Sequence, residues 1–249
     1  MNIQNEIINR QQEVKTESFL DAIVIGVGGI GSWAALNLAL SGRVGQLFII
    51  DPDIVESSNL NRTPFRICDI GNPKVDALKY LILERRVIDV YTYREKTSPR
   101  VLKQITDLLK SAYRCTDQAR IIPSGVIIDC RDDVYDDFYS LPYKYYKIGY
   151  DGLSITIDGN PRNTAVWGRA NGYRFTPSFI CPSQLAANLV VTDILTTKVT
   201  SEELSGVPWD TTTNPNPFDL QGRINKAFTF DCKDVIETLY RESLENEGT

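Results

Sequence analysis

Seven residues constrain this chain more than any others. They read Gly26-Val27-Gly28-Gly29-Ile30-Gly31-Ser32 and sit between an apolar run and a helix-forming run. Before them, Ala22-Ile23-Val24-Ile25 is apolar at every position, as a strand buried on both faces should be. After them, Trp33–Leu40 holds good helix formers with no proline or glycine. A second apolar run, Gln46–Ile50, ends at Asp51-Pro52-Asp53, so the pattern predicts a strand–turn–helix–strand unit. The chain must turn tightly between strand and helix, and glycine lets its backbone close on a ligand there. The helix begins at the glycine turn, so its free N–H groups and positive dipole end would face a bound phosphate. Asp51 falls where an acid can hold ribose hydroxyls. Together these features predict a nucleotide site.

The glycines alone do not choose the nucleotide. Gly26, Gly28 and Gly31, with Gly29 between them, satisfy the dinucleotide fingerprint, and a nicotinamide oxidoreductase would use it. The residues after Asp51 point elsewhere. Asn59, Arg62 and Lys74 come within 23 residues of Asp51, and an enzyme binding NAD through Asp51 has no evident need for the two cations. A triphosphate needs them. Asn72-Pro73 predicts a helix start, with asparagine as cap and proline in the first turn, running to about Arg86. Lys74 then occupies a first turn, where a cation opposes the helix dipole, which suits a ligand role.

Further along, the pattern predicts a strand over 87–93, a helix opening at Ser98-Pro99 and a buried strand ending at Asp129-Cys130-Arg131-Asp132-Asp133. Ligands of open parallel sheets sit beyond the carboxyl ends of the strands, which is where Asp51, Asp132 and Asp133 arrive. Asp132 and Asp133 read either as an aspartate-rich turn or as carboxylates for magnesium beside phosphate. Strands are expected at 145–150 and 153–157, then a helix at 183–196, an extended segment at 205–223, a strand at 226–230 and a final helix at about 233–244. The tyrosines between Tyr139 and Tyr150 read as core or interface rather than as a base-stacking platform. The expected fold is α/β, Rossmann-like and doubly wound, with a mostly parallel sheet and an antiparallel C-terminal part. One domain, 1–249, would hold an arm (1–20), a nucleotide-binding half (21–135) and a substrate or dimer half (136–249).

Composition narrows the chemistry. A chain of 249 residues with 42% hydrophobic content can bury a full core. A net charge of −5 without a basic run argues against nucleic acid as the main partner. No apolar stretch approaches a membrane span and no secretion signal is present, so a cytoplasmic protein is expected. The five cysteines are scattered and never spaced Cys-x-x-Cys, so no zinc is expected. There is no histidine. Any mechanism must run without an imidazole.

These residues resemble the ThiF/MoeB group, the ubiquitin-activating-enzyme-like adenylyltransferases. The group's glycine turn matches Gly26–Ser32, its ribose acid Asp51, and its Ser-Asn-Leu-x-Arg element Ser58–Arg62. Its Gly-x-Pro-Lys helix start matches Gly71–Lys74, and its Asp-Cys-x-Asp element matches Asp129–Asp132. Its amino-terminal Asn-Arg-Gln matches Asn9-Arg10-Gln11. The match is dense from Asn9 to Asp132, looser over 147–157 and 181–196, and absent after about Lys198.

The resemblance implies ATP-dependent adenylation of a carboxylate with release of pyrophosphate. The expected substrate is the C-terminal glycine of a ubiquitin-like or sulfur-carrier protein; a peptide or a small-molecule acid is the alternative. It implies magnesium held by Asp132, nucleotide contacts from Asp51 and Asn59, charge cancellation by Arg62 and Lys74, and a homodimer in which Arg10 reaches the partner's site. A carboxylate is already ionised at pH 7, so this chemistry needs no general base. Relatives that form thioesters carry a cysteine for it. Here the candidate is Cys181, at a helix cap where the dipole would favour thiolate, against the reading of a buried small apolar residue. A non-catalytic partner subunit is the remaining alternative.

Overall fold

The computed structural model describes residues 20–114, 125–131, 143–158, 178–196 and 228–231. The predicted arm, the segment at 205–223 and the final helix lie largely or wholly outside these residues.

Seven strands form one sheet: β1 Leu20–Ile25, β2 Val44–Ile50, β3 Asp89–Tyr93, β4 Gly125–Asp129, β5 Lys144–Asp151, β6 Ser154–Asp158 and β7 Phe228–Asp231. Their spatial order is β3-β2-β1-β4-β5-β6-β7. The first five run parallel, while β5–β6 and β6–β7 pair antiparallel. The helices are α1 Gly29–Leu40, α2 Lys74–Leu83, α3 Pro99–Arg114 and α4 Ile180–Thr196. The α/β, mostly parallel sheet with an antiparallel C-terminal part is the architecture found.

The strand pattern explains the layering. In β1, Ala22 and Val24 face a core shared with α1, α2 and α4, whereas Ile23 and Ile25 face a second core closed by α3. Successive side chains of a strand point to opposite faces, so a strand covered on both sides must be apolar throughout. Ala22 to Ile25 are all at most 1% exposed. The chain leaves β1 toward β2 on one side and, later, β4 pairs on its other side. The strand order therefore reverses at β1, the crevice where open α/β sheets bind ligands.

Several element boundaries depart from the sequence pattern; α4, expected from 183, begins at Ile180. The helix expected at Asn72 begins at Lys74, and Pro73, not Asn72, is its cap. Asn72 is instead tied into a turn: its N–H donates to the Asp69 carbonyl, and its own carbonyl accepts from Val55 N–H. The third strand begins at Asp89, two residues later than expected.

Candidate nucleotide site

The glycine turn divides into positions where packing excludes a side chain and one, Gly28, where it does not. Gly26 has φ +77°, and a Cβ there would stand 3.2 Å from the Cys130 carbonyl group. A left-handed backbone and a close neighbour both exclude a side chain. A Cβ on Gly31 would lie 1.9 Å from the Gly26 carbonyl oxygen, an impossible contact. On Gly28 a Cβ would meet nothing within 4 Å. Gly28 caps α1 and supplies no side-chain hydrogen bond to it. The space beside it is open cleft at the N-terminus of a helix, where backbone N–H groups attract phosphate.

That cleft has a volume of about 900 Å³ and is lined by Gly28, Gly29, Asp51, Asn59, Arg62 and Lys74. The structure thus brings Gly26, Gly28, Gly29, Asp51, Asn59, Arg62 and Lys74 to one cleft, whereas Gly31, also expected at the nucleotide, is not in its lining; Arg10 and Asp132 lie outside the described residues. Cys181 does not join them. It is exposed on the first turn of α4, which corrects the buried-residue reading, and it is absent from the lining of this cleft.

Asp51 is fixed by its own surroundings. The strand ends hold it, because Asp51 N–H donates to the Tyr93 carbonyl and Gly26 N–H to that of Ile50. One carboxylate oxygen accepts from Val27 N–H at 2.7 Å and the other from Asp53 N–H at 2.8 Å. Burial pushes the Asp51 carboxyl above its ordinary value, with the Lys74 charge and both backbone N–H groups working against that rise. Each carboxylate oxygen keeps a second lone pair for a ribose hydroxyl.

Lys74 is buried, and its Nζ stands 2.8 Å from Asp53 Oδ2. Its backbone N–H donates to the Asp53 carbonyl at 2.9 Å, so Asp53 ties Lys74 at both main chain and side chain. The Asp53 side chain is 64% exposed, and such a pair adds little stability. Asn59 accepts at Oδ1 from Glu56 N–H, which leaves its Nδ2 donors without an acceptor among the described residues. Arg62 is held by its Nη1, which donates to the Ser58 carbonyl and to Asn61 Oδ1, while Trp33 Nε1 donates to the Arg62 carbonyl. The Ser58–Arg62 turn therefore packs against α1 and places the guanidinium at the cleft wall.

Several lining residues were not expected: Lys96, Thr97, Arg131, Tyr150 and Ser178. Lys96 and Thr97 come just after the end of β3, so the strand-end rule applied to that strand would have found them. Arg131 belongs to a buried ion cluster at the end of β4. Its Nε and Nη2 reach Asp129 at 2.9 and 2.6 Å, Tyr145 Oη donates to Asp129 at 2.9 Å, and Lys147 Nζ stands 3.4 Å away. Burial alone would raise the Asp129 carboxyl, but the Arg131 hydrogen bonds and the two cations outweigh it and hold the group below its ordinary value. This cluster locks the backbone that closes on Gly26. Among the described residues, no group of three histidines, cysteines or carboxylates could hold a metal ion.

Comparison with known proteins identifies the family. The ThiF family model matches residues 2–136. The chain is 38% identical over 81 residues to a tRNA threonylcarbamoyladenosine dehydratase of Bacillus subtilis, covering 32% of each protein. It is 39% identical over 97 residues to the adenylyltransferase and sulfurtransferase uba4 of Aspergillus niger, covering 38% of this chain and 20% of that protein. It thus spans about a third or less of the length of these curated relatives. Among solved structures, that of PaaA superimposes with a TM-score of 0.61 at 23% identity, over 94% of this chain and 72% of PaaA, a likeness of fold. With the family model covering more than half of the chain and the glycine turn, Asp51, Asn59, Arg62 and Lys74 gathered in one cleft, the chain belongs to the ThiF family.

Proposed function

We propose that this protein is an ATP-dependent adenylyltransferase that activates a carboxylate, that of the C-terminal glycine of a ubiquitin-like or sulfur-carrier protein. One observation carries the reading. The open space beside Gly28, at a helix N-terminus, shares its cleft with two cations, Arg62 and Lys74, and with an acid, Asp51, suited to ribose. A nicotinamide cofactor would leave both cations without a role. Of the named relatives, the one called an adenylyltransferase and sulfurtransferase supports this reading, while another is called a dehydratase.

In the proposed reaction a carboxylate oxygen bonds to the α-phosphorus of ATP as the bond from that phosphorus to the bridging oxygen breaks. Pyrophosphate leaves with the electron pair, and no proton moves. Two anions must meet, so catalysis is mainly charge cancellation. Lys74 and Arg62 supply it on the side of β2. Asn59 Nδ2 donates to phosphate, and the α1 N-terminus adds its backbone donors. Magnesium, when bound, would neutralise phosphate charge; Asp132 is its proposed ligand. We assign Arg10 to the partner's site in a cytoplasmic homodimer, again on the residues alone.

Calorimetry with ATP and NAD tests the nucleotide directly. ATP is expected to bind, and Lys74→Ala to weaken it. Tighter binding of NAD than of ATP would overturn the proposal.

A further inference from the structure

Two hydroxyls close over Gly29 at the start of α1. A Cβ on Gly29 would stand 2.8 Å from Ser183 Oγ and 3.1 Å from Tyr150 Oη. Ser183 is accounted for: it is fully buried, and its hydroxyl donates to the Phe179 carbonyl at 2.9 Å, closing the first turn of α4. Tyr150 is not. Its ring is partly buried against the larger core, yet its hydroxyl has no hydrogen-bond partner among the described residues, and the residue lines the nucleotide cleft. That hydroxyl is open to the cleft and can meet a group that enters it.

The sheet order says which reactant that partner belongs to. Asp51 ends β2, and Arg62 and Lys74 come after it in the chain, so ribose and phosphate groups are held on the β2 side of the glycine turn. Tyr150 comes from β5, on the opposite side of β1 and β4. A nucleotide with its ribose on Asp51 and its phosphates over Gly28 leaves the β5 side for the second reactant. The neighbouring Gly149 also lines the cleft there and has no side chain to block the approach. Resting on the adenylation reading above, we propose that the Tyr150 hydroxyl donates a hydrogen bond to the substrate's acyl oxygen, the carboxylate oxygen that does not attack phosphorus. Tyr150 thereby orients the attacking oxygen toward the α-phosphorus; it contacts the acid and not the nucleotide.

The test uses two probes, AMP and 5′-O-(glycylsulfamoyl)adenosine, a stable mimic of a glycyl-adenylate, with the wild-type protein and Tyr150→Phe. Phenylalanine keeps the packed ring and removes only the hydroxyl, and thermal melting checks that the fold is intact. Tyr150→Phe is expected to bind AMP as the wild type does and the acyl mimic about five- to tenfold more weakly, the scale of one hydrogen bond. Equal affinity of both proteins for the acyl mimic would overturn the assignment. So would a parallel loss of AMP binding, which would place the hydroxyl on the nucleotide. If the wild-type protein itself binds the mimic no better than AMP, the adenylation reading fails, a result distinct from the failure of Tyr150.

Discussion

Replacing Gly28 and Gly31 by alanine, one at a time, should separate ligand binding from folding within a single turn. At Gly31 the new methyl would lie 1.9 Å from the Gly26 carbonyl oxygen. Either α1 or the turn must shift by more than an ångström, and Gly26 is already committed to φ +77° with the Cys130 backbone against it. Such overpacking costs about 1–3 kcal/mol, and alanine's better helix propensity returns at most about 1 kcal/mol. A net loss near 2 kcal/mol lowers the melting midpoint by roughly 4–8 °C in a domain of this size. At Gly28 the methyl meets no protein atom within 4 Å, and alanine in place of glycine at a helix cap costs under about 1 kcal/mol. The methyl does occupy space assigned to phosphate, so ATP affinity should fall at least about tenfold. Thermal melts and ATP titrations on both variants read the two effects separately. Wild-type ATP affinity in Gly28→Ala would refute the placement of phosphate at this helix, and wild-type stability in Gly31→Ala would refute the packing argument.

Asp129 sets an acid limit on the fold. Its folded-state carboxyl is held below the unfolded value of 3.8, so the stability it contributes is complete above that value and is lost as pH falls through the folded one. Asp129→Ala leaves Arg131 and Lys147 buried without their carboxylate and should cost about 3–5 kcal/mol at neutral pH, read by denaturant unfolding; wild-type stability would contradict the cluster's role. Cys181 lies outside the lining of the cleft, so Cys181→Ala should keep complete activity through to the final product; a reducible thioester on Cys181 formed with ATP and substrate would reinstate the thiol. If Arg10 acts in trans, inactive Arg10→Ala and Arg62→Ala homodimers should regain up to about a quarter of wild-type activity after subunit exchange, as an arginine finger predicts. No recovery on mixing would place Arg10 in its own subunit's site.

The parts of this fold that were legible in the sequence are those whose signals are local. An all-apolar strand, a glycine turn and a helix without breakers succeed one another directly, and β1, α1 and β2 stand where that pattern puts them. Asp51 was legible because strand ends are where ligands gather. The cap of α2 was not. Asn72 has the right chemistry for a cap, but its backbone is committed to Asp69 and Val55, and such pairing across the chain leaves no trace in the residues around position 72. Tyr150 was hidden for a similar reason. Within a run of tyrosines it reads as core, and its place over Gly29 depends on the register of β5 and the packing of α4 against α1. Lys96 and Thr97 lay within reach of the strand-end rule but in a polar stretch without a motif.

Substrate-dependent exchange of labelled pyrophosphate into ATP measures whether the gathered cations serve adenylation. With the correct carboxylate partner, the wild-type protein is predicted to exchange pyrophosphate, and Arg62→Ala and Lys74→Ala to lose about 10²–10³-fold, the scale of one donor to a developing anion. Undiminished exchange in both variants would show that neither cation serves adenylation.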